Sequence, residues 1–166
     1  MGCDVQIRRA NHEDADAIWA VIEPAIRAGV TWALPRDWSR DEALDYWFAP
    51  DRETFVAEED GRIVGSYFVR ANQAGPGSHV ANAGYMTHED AVGRGVASAM
   101  CRASLDWARK RGFRAMQFNY VVSSNSRAVR LWQHLGFEIV GTLPGAFHHP
   151  TLGYVDVYVM YQPLRP

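Results

Sequence analysis

The residues best suited to binding or reaction form a run in the middle of the chain, Val92-Gly93-Arg94-Gly95-Val96-Ala97-Ser98. Glycine lets a backbone come close to a ligand, and free N–H groups at a helix start attract an anion. A helical apolar pattern begins at Val96, so pyrophosphate is the natural guest, with Arg94 adding charge beside it. Taken alone, Gly-x-Gly also describes an ordinary tight turn. Context excludes two nucleotide sites. A Rossmann turn follows the first strand and is answered by an acidic residue at the next strand end. Here the run follows the fourth predicted strand, and Asp106 falls inside the helix. A P-loop needs Gly-Lys followed by Ser or Thr, which the chain lacks.

Other chemistry-bearing residues are fewer. Asn82 and Asn119 fall within predicted strands, where asparagine is disfavoured and needs a partner. Each is either a structural bracket or a ligand group. His148 and His149 are adjacent, so on extended chain they point opposite ways, and no third ligand has zinc-site spacing. No metal is expected. Cys3 and Cys101 lie far apart, and Cys101 sits in an amphipathic helix as a small buried hydrophobe.

These residues need elements to position them. Val5 and Ile7 alternate with polar neighbours as an opening strand does. Asn11 can cap a helix carrying Ile18, Trp19, Ile22 and Ile26, which Pro24 is expected to kink or end early unless local packing tolerates the break. Residues 29–38 read as a loop with two exposed tryptophans, Trp32 and Trp38. Ser39 and Glu42 form a capping box for a second helix. Strands at 54–59 and 63–70 flank the turn Asp60-Gly61, and a third covers 79–87. The next helix shows a stripe of Val96, Met100, Ala103, Ser104, Trp107 and Ala108, closed by Gly112. A strand at 115–122 precedes a helix with Ala128, Leu131, Trp132 and Leu135, ended by Gly136. Two last strands, 137–142 and 154–161, are joined by a predicted loop at 143–153. The order β-α-α-β-β-β-α-β-α-β-β describes an α/β (α+β) domain with a mixed central sheet.

Bulk properties fit a single domain spanning 1–166: 48% of residues are hydrophobic and 22% charged, with a formal net charge of −2. No basic face accumulates, so a nucleic-acid partner is not expected. No apolar run of membrane-spanning length and no signal pattern occurs, which points to the cytoplasm and reduced thiols.

With the order of elements in view, the central run resembles the GNAT acyltransferase pattern (Arg/Gln)-x-x-Gly-x-(Gly/Ala). Gly95 and Ala97 match its second half, while Val92 stands at the Arg/Gln position. A second mark of the family is an Asn-x-x-Ala helix running into Gly-Phe, here Asn125, Ala128, Leu131, Trp132, Gly136 and Phe137. The resemblance implies N-acetyl transfer from acetyl-CoA to a small amine. It also implies a splayed parallel pair formed by strands 79–87 and 115–122. The turn Val92, Gly93, Arg94, Gly95, Val96, Ala97 and Ser98 would hold the pyrophosphate, and Met86, Thr87 and Asn125 the pantetheine arm. Trp132 stands where most relatives carry a tyrosine that protonates the leaving thiolate; an indole N–H can only donate a hydrogen bond.

Wording around the two asparagines is similar to the branch of fungal acetyltransferases that act on azetidine-2-carboxylate and other proline analogues. That likeness implies Asn82 and Asn119 as holders of an amino- or imino-acid carboxylate. The loop 30–38 would then shape the acceptor pocket, with Trp32 and Trp38 as lid or as packing. No catalytic acid or base is assigned. His79, Glu89 and Asp90 are candidates by type alone, and water can take the amine proton instead. A peptide or protein amine as acceptor, a non-catalytic acyl-CoA-binding module, and a homodimer all stay open.

Overall fold

A computed structural model describes residues 4–165; Cys3 lies outside them. The elements are β1 (Gln6–Arg9), α1 (Ala15–Ala28), α2 (Arg40–Trp47), β2 (Arg52–Glu59), β3 (Arg62–Ala71), β4 (Val80–Thr87), α3 (Val96–Lys110), β5 (Ala115–Val122), α4 (Ser126–His134), β6 (Glu138–His149) and β7 (Gly153–Pro163). Their order is the one predicted. They build one seven-stranded sheet, β1-β2-β3-β4-β5-β7-β6. Every neighbouring pair is antiparallel except β4 and β5. Among the described residues no helix is long and apolar enough to cross a membrane.

Local chemistry explains the boundaries. The Asn11 side chain accepts from the Glu13 N–H, while the Asp14 carboxylate accepts from the Asn11 N–H. That reciprocal pair starts a short 3-10 turn leading into α1. Ser39 and Glu42 make the same exchange ahead of α2. Asp60 and Gly61 both have positive φ, 51° and 76°, the geometry a two-residue hairpin with native twist requires.

The sheet carries helices on both faces. On one, Ile18, Val21, Ile22 and Ile26 of α1 and Ala43, Leu44 and Trp47 of α2 pack on Val56, Phe68 and Met86. On the other, Val96, Met100, Leu105 and Ala108 of α3 pack with Val129 and Trp132 of α4 on Tyr67, Ala81, Ala83 and Phe118. Cys101 is buried within this second layer, and burial pushes its thiol pKa up to about 12. It is an inert core residue.

Four expectations change. Pro24 stands inside α1 without ending it, and the helix runs to Ala28, where Gly29 caps it at φ 63°. The four buried isoleucine and valine side chains of α1 hold the helix across the lost backbone bond. The stripe of α3 is rotated: Cys101 and Leu105 are buried, whereas Ala103 and Trp107 are only half-buried. Trp32 and Trp38 are half-buried, not exposed, because both rings join the aromatic cluster of α2 and β3. Finally, the predicted loop 143–153 is mostly strand. β6 continues to His149, with register shifts at Ile139/Gly141 and Leu143/Phe147. It is an edge strand, where Pro144, which has no N–H, is tolerated at a bulge because no further strand needs one there, and the Gly145 N–H donates to the Asp156 carboxylate.

One irregularity of the sheet matters most for function. β4 and β5 pair only at Val80↔Ala115 and Ala81↔Met116. Beyond those two positions the strands part, and each continues six residues with its facing edge outside any ladder.

Candidate active site

A cavity of about 720 Å³ opens where β4 and β5 separate. Its lining comes from the end of α1, the segment after it, α2, β3, both splayed strands, the glycine turn and the start of α4. The two faces of β4 explain the arrangement. Asn82, Gly84 and Met86 point with Phe68 and Arg70 toward the α1–α2 side, while Ala83 and Tyr85 point toward α3 and α4.

The glycine turn forms one end. Gly93 and Gly95 have φ of 85° and 84°, conformations that glycine adopts without strain and that tilt successive N–H groups inward. A Cβ on Gly95 would meet no atom within 4 Å, so the space before this backbone is open. The first intrahelical bond of α3 is donated by Ala99 to Gly95, leaving the N–H groups of Val96, Ala97 and Ser98 ahead of the ladder. That is a cradle of the size and charge preference a pyrophosphate needs.

Of the residues expected to hold the cofactor, Met86, Thr87, Val92, Gly93, Gly95, Val96, Ala97, Ser98 and Asn125 all line the cavity. Arg94 does not. Its guanidinium turns to the buried Glu59 carboxylate at the end of β2, so it pins the turn to the sheet. Asn125 caps α4 by accepting from the Ala128 N–H.

The other end is aromatic and cationic. Trp32, Tyr46 and Phe68 form its wall, with ring centroids 5.9 Å apart for Tyr46–Phe68 and 6.5 Å for Trp32–Phe68. Trp32 lies directly on the β4 backbone: a Cβ on Gly84 would fall 2.4 Å from its ring and 2.9 Å from Phe68. Trp38 packs behind, its ring tilted against Tyr46, and does not line the cavity. Gly84→Ala is therefore expected to push Trp32 into the cavity. KM for the acceptor should rise about tenfold, with ~1–3 kcal/mol of stability lost to overpacking. Unchanged acceptor kinetics, read alongside acetyl-CoA affinity, would show that Trp32 is not part of the pocket wall.

Asn82 and Asn119 both reach this cavity, and both are hydrogen-bonded. Asn82 donates to the Gln117 carbonyl at 2.9 Å, just past the last β4–β5 pair, and accepts from Arg70 Nε at 3.2 Å. Asn119 donates to Asn72 at 2.6 Å and accepts from Gln117 at 2.9 Å. Arg70 was not anticipated from the sequence. Arg70 lines the cavity, and its guanidinium stands 3.6 Å from Asp51. Nothing near Arg70 in the chain distinguishes it from other strand arginines; only the β3–β4 register, which pairs it with Asn82, marks it.

Among the described residues the lining holds no His, Asp, Glu, Lys or Cys. His79 is exposed outside the cavity, Glu89 is exposed, and Asp90 is paired with Arg62. Trp132 lines the cavity and packs on Tyr85 and Phe118.

Residues 16–137 match the acetyltransferase (GNAT) family, and the chain belongs to that family. It is a GNAT-type N-acetyltransferase whose acyl donor is acetyl-CoA. A solved GCN5-related N-acetyltransferase from Kribbella flavida is 44% identical and superposes with a TM-score of 0.91, covering 96% of this chain and 97% of its own. The L-amino acid N-acetyltransferase AaaT of Escherichia coli is 33% identical over 95% of this chain and 96% of its own length. N-acetyltransferase aca1 of Schizosaccharomyces pombe is 28% identical over 81% of this chain and 72% of its own.

Proposed function

We propose that the acceptor is the α-amine of a small amino or imino acid with an apolar side chain. One observation carries this reading: the Arg70–Asn82 pair stands beside an aromatic wall, in the same cavity as the glycine turn. A guanidinium recognises a carboxylate through charge and paired donors. Trp32, Tyr46 and Phe68 offer apolar surface to the rest of such a molecule. The activity of AaaT on L-amino acids supports the same class.

The chain's residues then have distinct tasks. The turn 93–98 anchors the pyrophosphate, and the free edge of β4 from Asn82 onward aligns the pantetheine arm. Acetyl-CoA supplies an acyl group that is already activated. Arg70, Asn82 and Asn119 turn the acceptor so that its amine faces the thioester carbon, and the aromatic wall excludes water. Positioning of this kind removes much of the barrier. With no His, Cys or carboxylate in the lining, the acetyl group passes directly to nitrogen rather than through an acyl-enzyme. The amine proton goes to water or backbone-linked solvent. The thiolate, of pKa ~8.5, departs without needing a strong acid, so Trp132 serves as packing.

The test follows free thiol release from acetyl-CoA against a panel of amino acids, imino acids, their carboxamides and simple amines. Turnover with free α-amino or imino acids, and at least about tenfold less with their carboxamides, is expected. Equal rates for acid and carboxamide would overturn the carboxylate reading. Turnover only with peptides would move the acceptor to a protein amine.

A further inference from the structure

The pyrophosphate turn carries one side-chain cation in its own sequence, Arg94, and it does not line the cavity. Val92 occupies the position where the family pattern has Arg or Gln, and it is 49% exposed. Arg94 is drawn off to Glu59. The anion of acetyl-CoA would therefore meet backbone N–H groups alone, unless charge arrives from elsewhere in the fold.

It arrives from α4. Arg127, in the first turn of that helix, extends its guanidinium over the glycine turn. Its Nη2 lies only 2.7 Å from the point a Cβ on Gly93 would occupy. Arg127 lines the cavity together with Val92, Gly93, Gly95 and Ser98. Among the described residues it makes no hydrogen bond or ion pair, so its donors are unspent. A side chain at Gly93 would displace it, which gives that glycine a second reason beyond its positive φ. Three other charges near the turn are engaged, Glu59 with Arg94, Asp90 with Arg62, and Arg102 with the Ser98 hydroxyl at 3.3 Å, while Glu89 is exposed to solvent.

We propose that Arg127 is the cation that clamps the pyrophosphate of acetyl-CoA against the glycine turn, supplying from α4 the contact that Val92 cannot make. The assignment rests on the turn being the phosphate site. It makes the cofactor bridge α3 and α4, two helices that flank the splay. Asn125, two residues earlier, caps the same helix, so one helix start both orients Arg127 and borders the pantetheine path.

The experiment measures dissociation constants by titration calorimetry for acetyl-CoA and for dephospho-CoA, which keeps the pyrophosphate but lacks the 3′-phosphate. Proteins are wild type, Arg127→Ala, Arg127→Lys and the double variant Arg127→Ala with Val92→Arg. Arg127→Ala is expected to weaken both ligands about tenfold, the scale of one charge-assisted hydrogen bond. The salt dependence should become shallower, Lys should retain part of the affinity, and Val92→Arg should restore it. Arg127 is exposed, so melting temperature should hold. Loss confined to acetyl-CoA would assign Arg127 to the 3′-phosphate and overturn the proposal; unchanged affinity for both would overturn it outright. If Gly95→Glu also left binding intact, the turn itself would be the wrong site, a separate failure.

Discussion

Gly95→Glu is expected to raise Kd for acetyl-CoA at least about 100-fold, equivalent to ~2.7 kcal/mol, while leaving the protein folded. The reason is electrostatic. The position is open, with nothing within 4 Å of a Cβ, so the new side chain finds room. It places a carboxylate where α3 presents its positive end, in the space a pyrophosphate would fill. Like charges at that range repel strongly, and the carboxylate also occupies the N–H groups that the phosphate needs. Some stability is lost because φ of 84° suits only glycine; the left-handed conformation costs ~1–2 kcal/mol for other residues. Gly95→Ala separates the two effects. It carries the backbone strain without the charge, so its affinity should fall far less than that of the glutamate variant. Calorimetric titration checks both, with circular dichroism melts confirming the fold. Equal affinities for wild type and Gly95→Glu would mean that the phosphates bind elsewhere.

Arg70→Ala carries the second large effect. KM for a carboxylate-bearing acceptor should rise about 10- to 100-fold, the cost of one lost charge-assisted contact, with Kd for acetyl-CoA unchanged. Such a contact holds the ground state and the transition state alike, so kcat should move much less than KM. The corresponding carboxamide acceptor is the decisive comparison, because it has no charge for Arg70 to meet. Wild type and variant should treat it alike. If the variant loses as much on the carboxamide, Arg70 acts through Asn82 and the strands it braces, and the substrate reading falls. Asp51, 3.6 Å from the guanidinium, partly neutralises Arg70 in the free enzyme, and Arg52 beside it holds the Asp51 carboxyl below its usual range. Asp51→Asn should therefore not mimic the loss.

How much of this was legible in the chain depends on whether the cause was local. Capping at Asn11 and Ser39, the Asp60-Gly61 turn and the bounds of β5 follow from neighbouring residues, and each stands where the sequence puts it. The glycine turn was visible for the same reason, since backbone freedom and a helix start lie within a few positions. β6 misled because Pro144 and Gly145 are loop residues by composition, and only the strand's place at the sheet edge makes them acceptable. The α3 stripe drifted because Trp107 is large and apolar, yet it sits at the layer's margin against Phe55 and Phe113. Arg70 and Arg127 were invisible for a deeper reason. Each is one arginine among many, given meaning by a strand register or a crossing of two helices that no local pattern encodes. The same holds for the Arg94–Glu59 pair, whose members are 35 positions apart.

The parting of β4 from β5 leaves two runs of strand without their natural hydrogen-bonding neighbour. A ligand that lies in the gap acts as a missing strand, and a protein that binds it only when folded becomes more stable with the logarithm of the ligand supply. At a free acetyl-CoA concentration of 100 times Kd the gain is about 2.7 kcal/mol. Resistance of the folded chain to heat and to protease is therefore expected to rise and fall with the free acetyl-CoA concentration.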